Sequence, residues 1–446
     1  MQELRHRDGS GFEICLDLDR VKFHNSLTFA KSLDQKDPLK SFRNQFHIPK
    51  INGKTSFYFT GNSLGLQPKA TKKWIAEELQ DWAELGVEGH FHARRPWLYY
   101  HHFSKKALAS LVGAKLTEVV TMNQLTVNLH LMLTSFYRPT SSRFKIITEA
   151  GAFSSDQYAL TSQAKLHGLN PDETIIELKP RPGEQTLRTE DILQSIQDLS
   201  GQLALVLLGA VQYYSGQFFN LQAITEAGHQ AGAIVGFDLA HAIGNVPLHL
   251  HRDNVDFAVW CSYKYLNSGP GGVGGAFVHQ RHGQHFDLPR LEGWWGHDEK
   301  DRFMMKTGFK PMPGVDGWQL SNFPVISGAA QLASLEMFQK AGMKLLRKKS
   351  FLLTGYLEFL LKEIASDQFF IITPDQPRER GCQLSILMKN DGKKVFVALT
   401  KKGVVADWRE PDVIRVAPVP SYNTFEEVYR FARIFENALR SKKPVA

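Results

Sequence analysis

From Phe57 onward the chain alternates short apolar runs with longer stretches in which apolar residues recur at helical spacing. The runs EVVTM (118–122), FKIIT (144–148), LALVLLG (203–209), AIVGF (233–237) and VDFAVWC (255–261) are short and end in polar or glycine-bearing turns, so they predict buried strands. Helical segments separate most of them. In PKATKKWIAEELQDWAELG, Ile75, Leu79 and Trp82 mark one helical face between Pro68 and Gly86. The pattern predicts a mainly parallel sheet covered by helices on both faces. Ahead of it, residues 1–50 are polar with helical patches such as NSLTFAKSLD, and predict an arm or outer helices. After SNFPVISGAA (321–330) long helical stretches precede a strand-rich tail containing CQLSILM and VIRVAPV. The chain thus divides into an arm (1–50) packing with the tail domain, a large α/β domain (51–325) and a smaller α+β domain (326–446).

Composition narrows the class. A chain of 446 residues with 43% hydrophobic and 22% charged residues has the composition of a soluble globular protein. No apolar stretch is long enough to span a bilayer, and the amino terminus lacks the apolar core of a secretory signal. Cys15, Cys261 and Cys382 lie far apart without metal-ligand spacing, which predicts reduced thiols in a cytoplasmic protein. The net charge of +8 raises the question of nucleic acid. Its basic residues are scattered, with short clusters at Arg347–Lys349 and at Arg440, Lys442 and Lys443, and no aromatic-interleaved stripe accompanies them. Solvated faces and attraction for anionic small molecules account for the charge. His279, His282 and His285 in HQRHGQH lack an acidic second shell and read as an exposed loop, not a metal site.

Ligands of open α/β sheets bind beyond the carboxyl ends of the strands, so the residues just after each run carry the chemistry. Asp238 and His241 follow AIVGF, and Ser262-Tyr263-Lys264 follow VDFAVWC, ahead of the glycine-rich NSGPGGVGG. A lysine and an aspartate facing one cleft suit pyridoxal phosphate: the lysine bonds the aldehyde, and the aspartate keeps the pyridine nitrogen protonated. A buried structural salt bridge explains the same spacing. Thr126, opening the helix that follows EVVTM, fits an anion site or an ordinary cap. Phe153 fits a ring cover or plain core. Arg415, inside an apolar strand, fits a clamp on a substrate carboxylate or an internal ion pair.

The segments GFDLAHAIGNVPLHLH and VDFAVWCSYKYLNSGPGGVGGAFVH closely resemble the cofactor-lysine region of kynureninases. So do YFTGNSLGLQPK, GHFHARRPW, NQLTVNLHLML, EGWWGH, LSNFP and VIRVAPVPSYN, and the resemblance runs from about residue 55 to 435. It implies a fold-type I pyridoxal-phosphate enzyme of the aminotransferase class V superfamily. That fold has a large domain with a mainly parallel seven-stranded sheet between helices, and a smaller α+β carboxyl-terminal domain. It further implies a homodimer with active sites at the subunit interface.

On this resemblance Lys264 carries the cofactor and Asp238 partners its pyridine nitrogen, with His241 beside it. Leu125, Thr126 and the segment Phe153, Ser154, Ser155, Asp156 line the phosphate and ring, and Tyr263 reaches the phosphate. Trp294 and Asn322 come from the other subunit. Arg415 holds the substrate α-carboxylate, and His90, Ser321 and Asn322 fall at the aryl ring. Lys264 and Tyr263 are the catalytic pair, with Tyr263 delivering a proton to Cβ or only anchoring phosphate. Two departures stand out: Ser154 replaces the family's usual proline, and Gly209 stands where some relatives carry a small hydroxyl residue.

The implied reaction is hydrolytic Cβ–Cγ cleavage of L-kynurenine, or its 3-hydroxy form, to L-alanine and anthranilate or 3-hydroxyanthranilate, in tryptophan catabolism and NAD precursor supply. Two alternatives stand beside it. A cysteine desulfurase or selenocysteine lyase would need a loop cysteine near the cofactor. A basic non-catalytic binding protein would have no use for Lys264, Asp238 and Arg415 together.

Overall fold

The computed structural model describes residues 22–364 and 366–440. Cys15, Lys442 and Lys443 lie outside the described residues. Seven strands form the central sheet: β1 (Val119–Thr121), β2 (Lys145–Glu149), β3 (Ile175–Leu178), β4 (Leu203–Gly209), β5 (Ile234–Asp238), β6 (Phe257–Trp260) and β7 (Gly275–Val278). Their order is β1-β7-β6-β5-β4-β2-β3, and β7 alone runs against its neighbours β6 and β1. This is the mainly parallel α/β sheet that the short apolar runs predict, buried on both faces except at its edge strand β3. Gly236 lets the centre close up, because a Cβ there would stand 2.2 Å from the Phe257 ring.

Helices α1 (Leu27–Lys36) and α2 (Thr71–Leu85) both precede β1 in the chain. Helices α3 (Leu125–Phe136) and α4 (Ser154–Leu166) leave the carboxyl ends of β1 and β2. Two long helices, α5 (Val325–Ala341) and α6 (Met343–Lys362), are separated by Gly342, whose φ of 71° permits the sharp break. A second sheet, entirely antiparallel, has the order β8 (Phe369–Ile371), β9 (Leu384–Met388), β11 (Val413–Val416), β10 (Asp407–Arg409). The last helix, α7 (Phe425–Arg440), packs beside it and meets α1. There the Asp34 carboxylate accepts from the backbone N–H groups of Phe425 and Glu426, satisfying two otherwise unpaired donors at the α7 start. Separate apolar cores serve the two sheets, one around Val206, Phe237 and Trp260, the other around Leu357, Ile386 and Phe431.

Two readings from the sequence change here. Helix α2 does not bury the face marked by Leu79 and Trp82, which are 47% and 63% exposed. It buries Glu78 and Asp81 instead. Glu78 accepts from Arg95, Trp97 and Tyr100, and Asp81 from Arg94, so the helix seats on a polar network that periodicity alone does not reveal. The Arg347–Lys349 cluster is likewise no solvated face. Arg347 is buried, donating to the carbonyls of Pro377 and Arg380, and Lys349 forms a buried ion pair with Asp37 at 2.7 Å.

Candidate active site

The carboxyl ends of β2, β4 and β5 lie side by side, with Asp238 in register with Gly209. Beyond them opens a cavity of about 150 Å³ whose walls include Asp238, His241, Tyr263 and Lys264. Leu125, Thr126, Phe153, Ser155 and Asp156 complete the group of predicted residues that meet there. Strand β6 stops at Trp260, and the turn after it swings Lys264 back so that its Nζ lies 3.0 Å from His241 Nε2 and 5.7 Å from the centre of the Phe153 ring.

The cavity is acidic. Asp238 accepts from the Ala240 N–H at 2.6 Å. Burial pushes its carboxyl up, an effect that Lys264 opposes. Asp156 is raised well above the usual carboxylate range, first by burial and then by Asp238, to which it is hydrogen-bonded. Two carboxyls so placed share one proton. Burial and the neighbouring Lys264 hold His241 well below its ordinary value, so its ring is uncharged. Tyr263 is raised, chiefly by burial and then by Cys261, and stays a phenol.

These residues fit pyridoxal phosphate. The buried Asp156–Asp238 pair presents one negative charge where a protonated ring nitrogen would complete it. Phe153 offers a flat face at the cavity. Helix α3 begins at Leu125 with no side chain capping its first turn, leaving N–H groups free for an anion beside Thr126 and Tyr263. The absence of a cap hydrogen bond favours the anion reading over the ordinary-cap reading.

The remaining predicted residues lie elsewhere. Ser154 is the exposed first residue of α4 and stays off the cavity wall. Trp294 is 44% exposed, its indole N–H donating to the Arg302 carbonyl at 3.3 Å. Ser321 and Asn322 are exposed, and His90 packs edge-on against Trp97 with ring centres 5.4 Å apart. None of these four lines the cavity of its own chain. Arg415 is fully buried in β11 and paired with Asp407, its cross-strand neighbour, while donating to the Tyr213 carbonyl at 2.6 Å. The internal-pair alternative therefore describes its state here. Burial pushes its guanidinium down to about 10.

Tyr213 and the wall residue Glu149 were not among the candidates. Tyr213 lines the cavity, meets Phe153 edge-on with ring centres 5.2 Å apart, and links the cavity to Arg415 through its carbonyl. The strand-end rule that picks out Asp238 also points to the residues after LALVLLG, and so to Tyr213. The HQRHGQH stretch is not the exposed loop expected from the sequence: His279 is buried and stacked on His251, and His282 bonds Asp256, an acidic partner distant in sequence.

Comparison with known proteins places the chain. The family model described as the kynureninase carboxyl-terminal domain matches residues 346–435. The chain is 55% identical to a kynureninase of Myxococcus xanthus over 94% of its own length and 98% of the relative's. It is 52% identical to one of Flavobacterium psychrophilum over 94% and 99%, and 48% identical to one of Nematostella vectensis over 94% and 95%. Among solved structures, a cysteine desulfurase of Escherichia coli superposes with a TM-score of 0.73 at 16% identity, covering 90% of this chain and 98% of that one. A C-DES mutant with glycine covalently linked to its PLP cofactor gives 0.73 at 18% identity, covering 88% and 98%. The solved structures share the fold. Near-full-length identity of about one residue in two to the curated relatives decides the family: the chain belongs to the kynureninases.

Proposed function

We propose that the protein hydrolyses the Cβ–Cγ bond of L-kynurenine or 3-hydroxy-L-kynurenine, releasing L-alanine and anthranilate or 3-hydroxyanthranilate, with pyridoxal phosphate as cofactor. The observation that carries this reading is the convergence of Lys264, Asp238 and His241 on one buried cavity, in a chain of this family. The bound cofactor supplies an electron sink for the pair left at Cα and then at Cβ.

The chain's own residues do the rest. Asp238, backed by Asp156, holds the cofactor's ring nitrogen, and the free N–H groups at Leu125 and Thr126 hold its phosphate. Lys264 Nζ removes the proton from Cα, and the uncharged His241 beside it accepts a hydrogen bond without competing for that proton. Water adds to the side-chain ketone carbon, its oxygen leaves with the aryl carboxylate, and Cβ takes a proton. Tyr263, kept as a phenol, is the donor to Cβ. Arg415 receives the substrate α-carboxylate, and His90, Ser321 and Asn322 bind the aryl group.

The active unit in this reading is a homodimer in which Trp294 and Asn322 of one subunit reach the cavity of the other. Supporting it, both residues are exposed, and so are the large apolar side chains of Leu79, Trp82, Phe303, Met304 and Met305. No helix among the described residues is long and apolar enough to cross a membrane. We place the enzyme in the cytoplasm, acting in tryptophan catabolism and NAD precursor supply. The described thiols, Cys261 and Cys382, are unpaired, in keeping with a reducing compartment. Both are buried and pushed up by burial, so neither is the thiolate a desulfurase requires.

The test is to supply purified protein with pyridoxal phosphate and follow aryl product and alanine from each substrate. Equal amounts of the two products support the reading. A cofactor-loaded protein that yields neither would defeat the substrate assignment. In the same assay His90→Ala should depress kcat/KM more for the hydroxylated substrate, because a site that hydrogen-bonds a hydroxyl discriminates against its absence. Equal loss on both substrates would remove the selectivity role.

A further inference from the structure

The cavity holds one carboxyl that the chemistry above leaves unemployed. Glu149 ends β2 and lines the cavity wall beside Gly209 of β4, the strand that separates β2 from the Asp238 strand β5. Its two oxygens lie 3.2 and 3.3 Å from the Gly209 amide nitrogen. Gly209 makes the room for this contact, since a Cβ there would stand 3.1 Å from Oε1. The charged groups acting on the Glu149 carboxyl are the like charges of Asp238 and Asp156. The other titratable or charged groups facing the cavity are Asp156 from α4 and Asp238 from β5, which share one proton, Tyr213 after β4, Tyr263 and Lys264 after β6, and the uncharged His241, on which Arg409 and Arg415 act from the second sheet.

Charge counting then decides the state of Glu149. The cofactor, on the reading above, brings a phosphate and one ring-nitrogen proton. The Asp156–Asp238 pair answers that proton with one negative charge. With Lys264 engaged by the cofactor and both Arg409 and Arg415 paired with Asp407, an ionised Glu149 would add a second buried negative charge that no cation of the cavity is left to meet.

We propose that Glu149 is a positioning residue that works as a protonated carboxylic acid, confining the pocket's negative charge to the Asp156–Asp238 pair so that it stays directed at the cofactor's ring nitrogen. The proposal rests on the pyridoxal-phosphate reading. Burial pushes Glu149 up to about 8, so the acid form holds at neutral pH and is lost as pH rises through that value.

The experiment uses the holoenzyme and does not depend on turnover. The visible absorption and the cofactor dissociation constant are followed from about pH 6 to about pH 10 for wild type, Glu149→Gln and Gly209→Ala, with infrared difference spectra of the first two. Wild type should weaken its hold on the cofactor by roughly tenfold as Glu149 ionises, whereas Glu149→Gln should lack that step and lose a carboxylic-acid carbonyl band. Gly209→Ala crowds the carboxyl off the backbone N–H that stabilises its ionised form, so the step should move to higher pH. Identical titrations in wild type and Glu149→Gln, with no carbonyl band lost, overturn the proposal. Should Glu149→Gln fail to fold, an unmoved step in Gly209→Ala overturns it equally. A wild-type protein that develops no visible band with pyridoxal phosphate fails earlier, at the cofactor reading itself.

Discussion

His241 Nε2 sits 3.0 Å from Lys264 Nζ in a cavity where burial keeps the histidine uncharged. The histidine steers the lysine without adding a charge, since a neutral ring nitrogen accepts a hydrogen bond that an imidazolium would refuse. Substituting Lys264→Ala should remove the visible cofactor band and lower hydrolysis by at least about 1000-fold. His241→Ala should keep the band and lower kcat by about 10-fold to 100-fold, through a loosely held Nζ. Absorption spectra with single-turnover kinetics separate the two, and a lost band in His241→Ala would mean that it holds the cofactor instead.

Tyr263 divides two roles by experiment. As a phenol kept protonated by burial, it can donate a proton in the reaction. Tyr263→Phe should lower kcat by about 10-fold to 1000-fold while changing the cofactor dissociation constant by less than about threefold. A large loss of cofactor affinity at unchanged kcat would assign Tyr263 to phosphate anchoring alone.

Arg415 faces a choice of carboxylates. Fully buried, it is held by Asp407 on the adjacent strand, so a substrate carboxylate must share or replace that partner. Arg415→Lys loses the two-pronged geometry and should raise KM by about 10-fold to 100-fold with a smaller effect on kcat. Asp407→Asn leaves a buried cation without its counter-charge and should lower thermal stability measurably, by several degrees in melting temperature for a loss of roughly 3 kcal/mol. An Asp407→Asn protein as stable as wild type would show that Arg415 draws its compensation from carbonyls such as that of Tyr213.

Shared active sites can be tested by mixing. Lys264→Ala and Asn322→Ala homodimers should each be nearly inactive, yet exchange of subunits should restore part of the activity, because one site of each hybrid would receive an intact lysine and an intact asparagine. Activity assays after slow exchange check this. No recovery, with exchange verified by mass spectrometry, would place each active site within a single chain.

The sequence by itself marked five of the seven central strands, missing β3 and β7, and much of the cavity's chemistry. Runs such as LALVLLG and AIVGF are apolar at every position, which only a strand covered on both faces tolerates, and the rule that ligands sit beyond strand ends then singles out Asp238 and Lys264. The family motifs supplied Phe153, Asp156, Thr126 and His241, all of which meet at the cavity. What needed the tertiary structure were relations between segments far apart in sequence. Trp82 looks like core and is exposed, while Glu78 looks like surface and is buried, because Arg95, Trp97 and Tyr100 converge on its carboxylate. Arg415 meets Asp407 only because β10 and β11 pair in that register. Glu149 becomes a cavity wall only because β2 and β4, separated along the chain by β3, are neighbours in the sheet. Local periodicity records which residues avoid water within one element. Whether a polar side chain is buried depends on partners that strand order and register bring to it, and those are set by the packing of the whole chain.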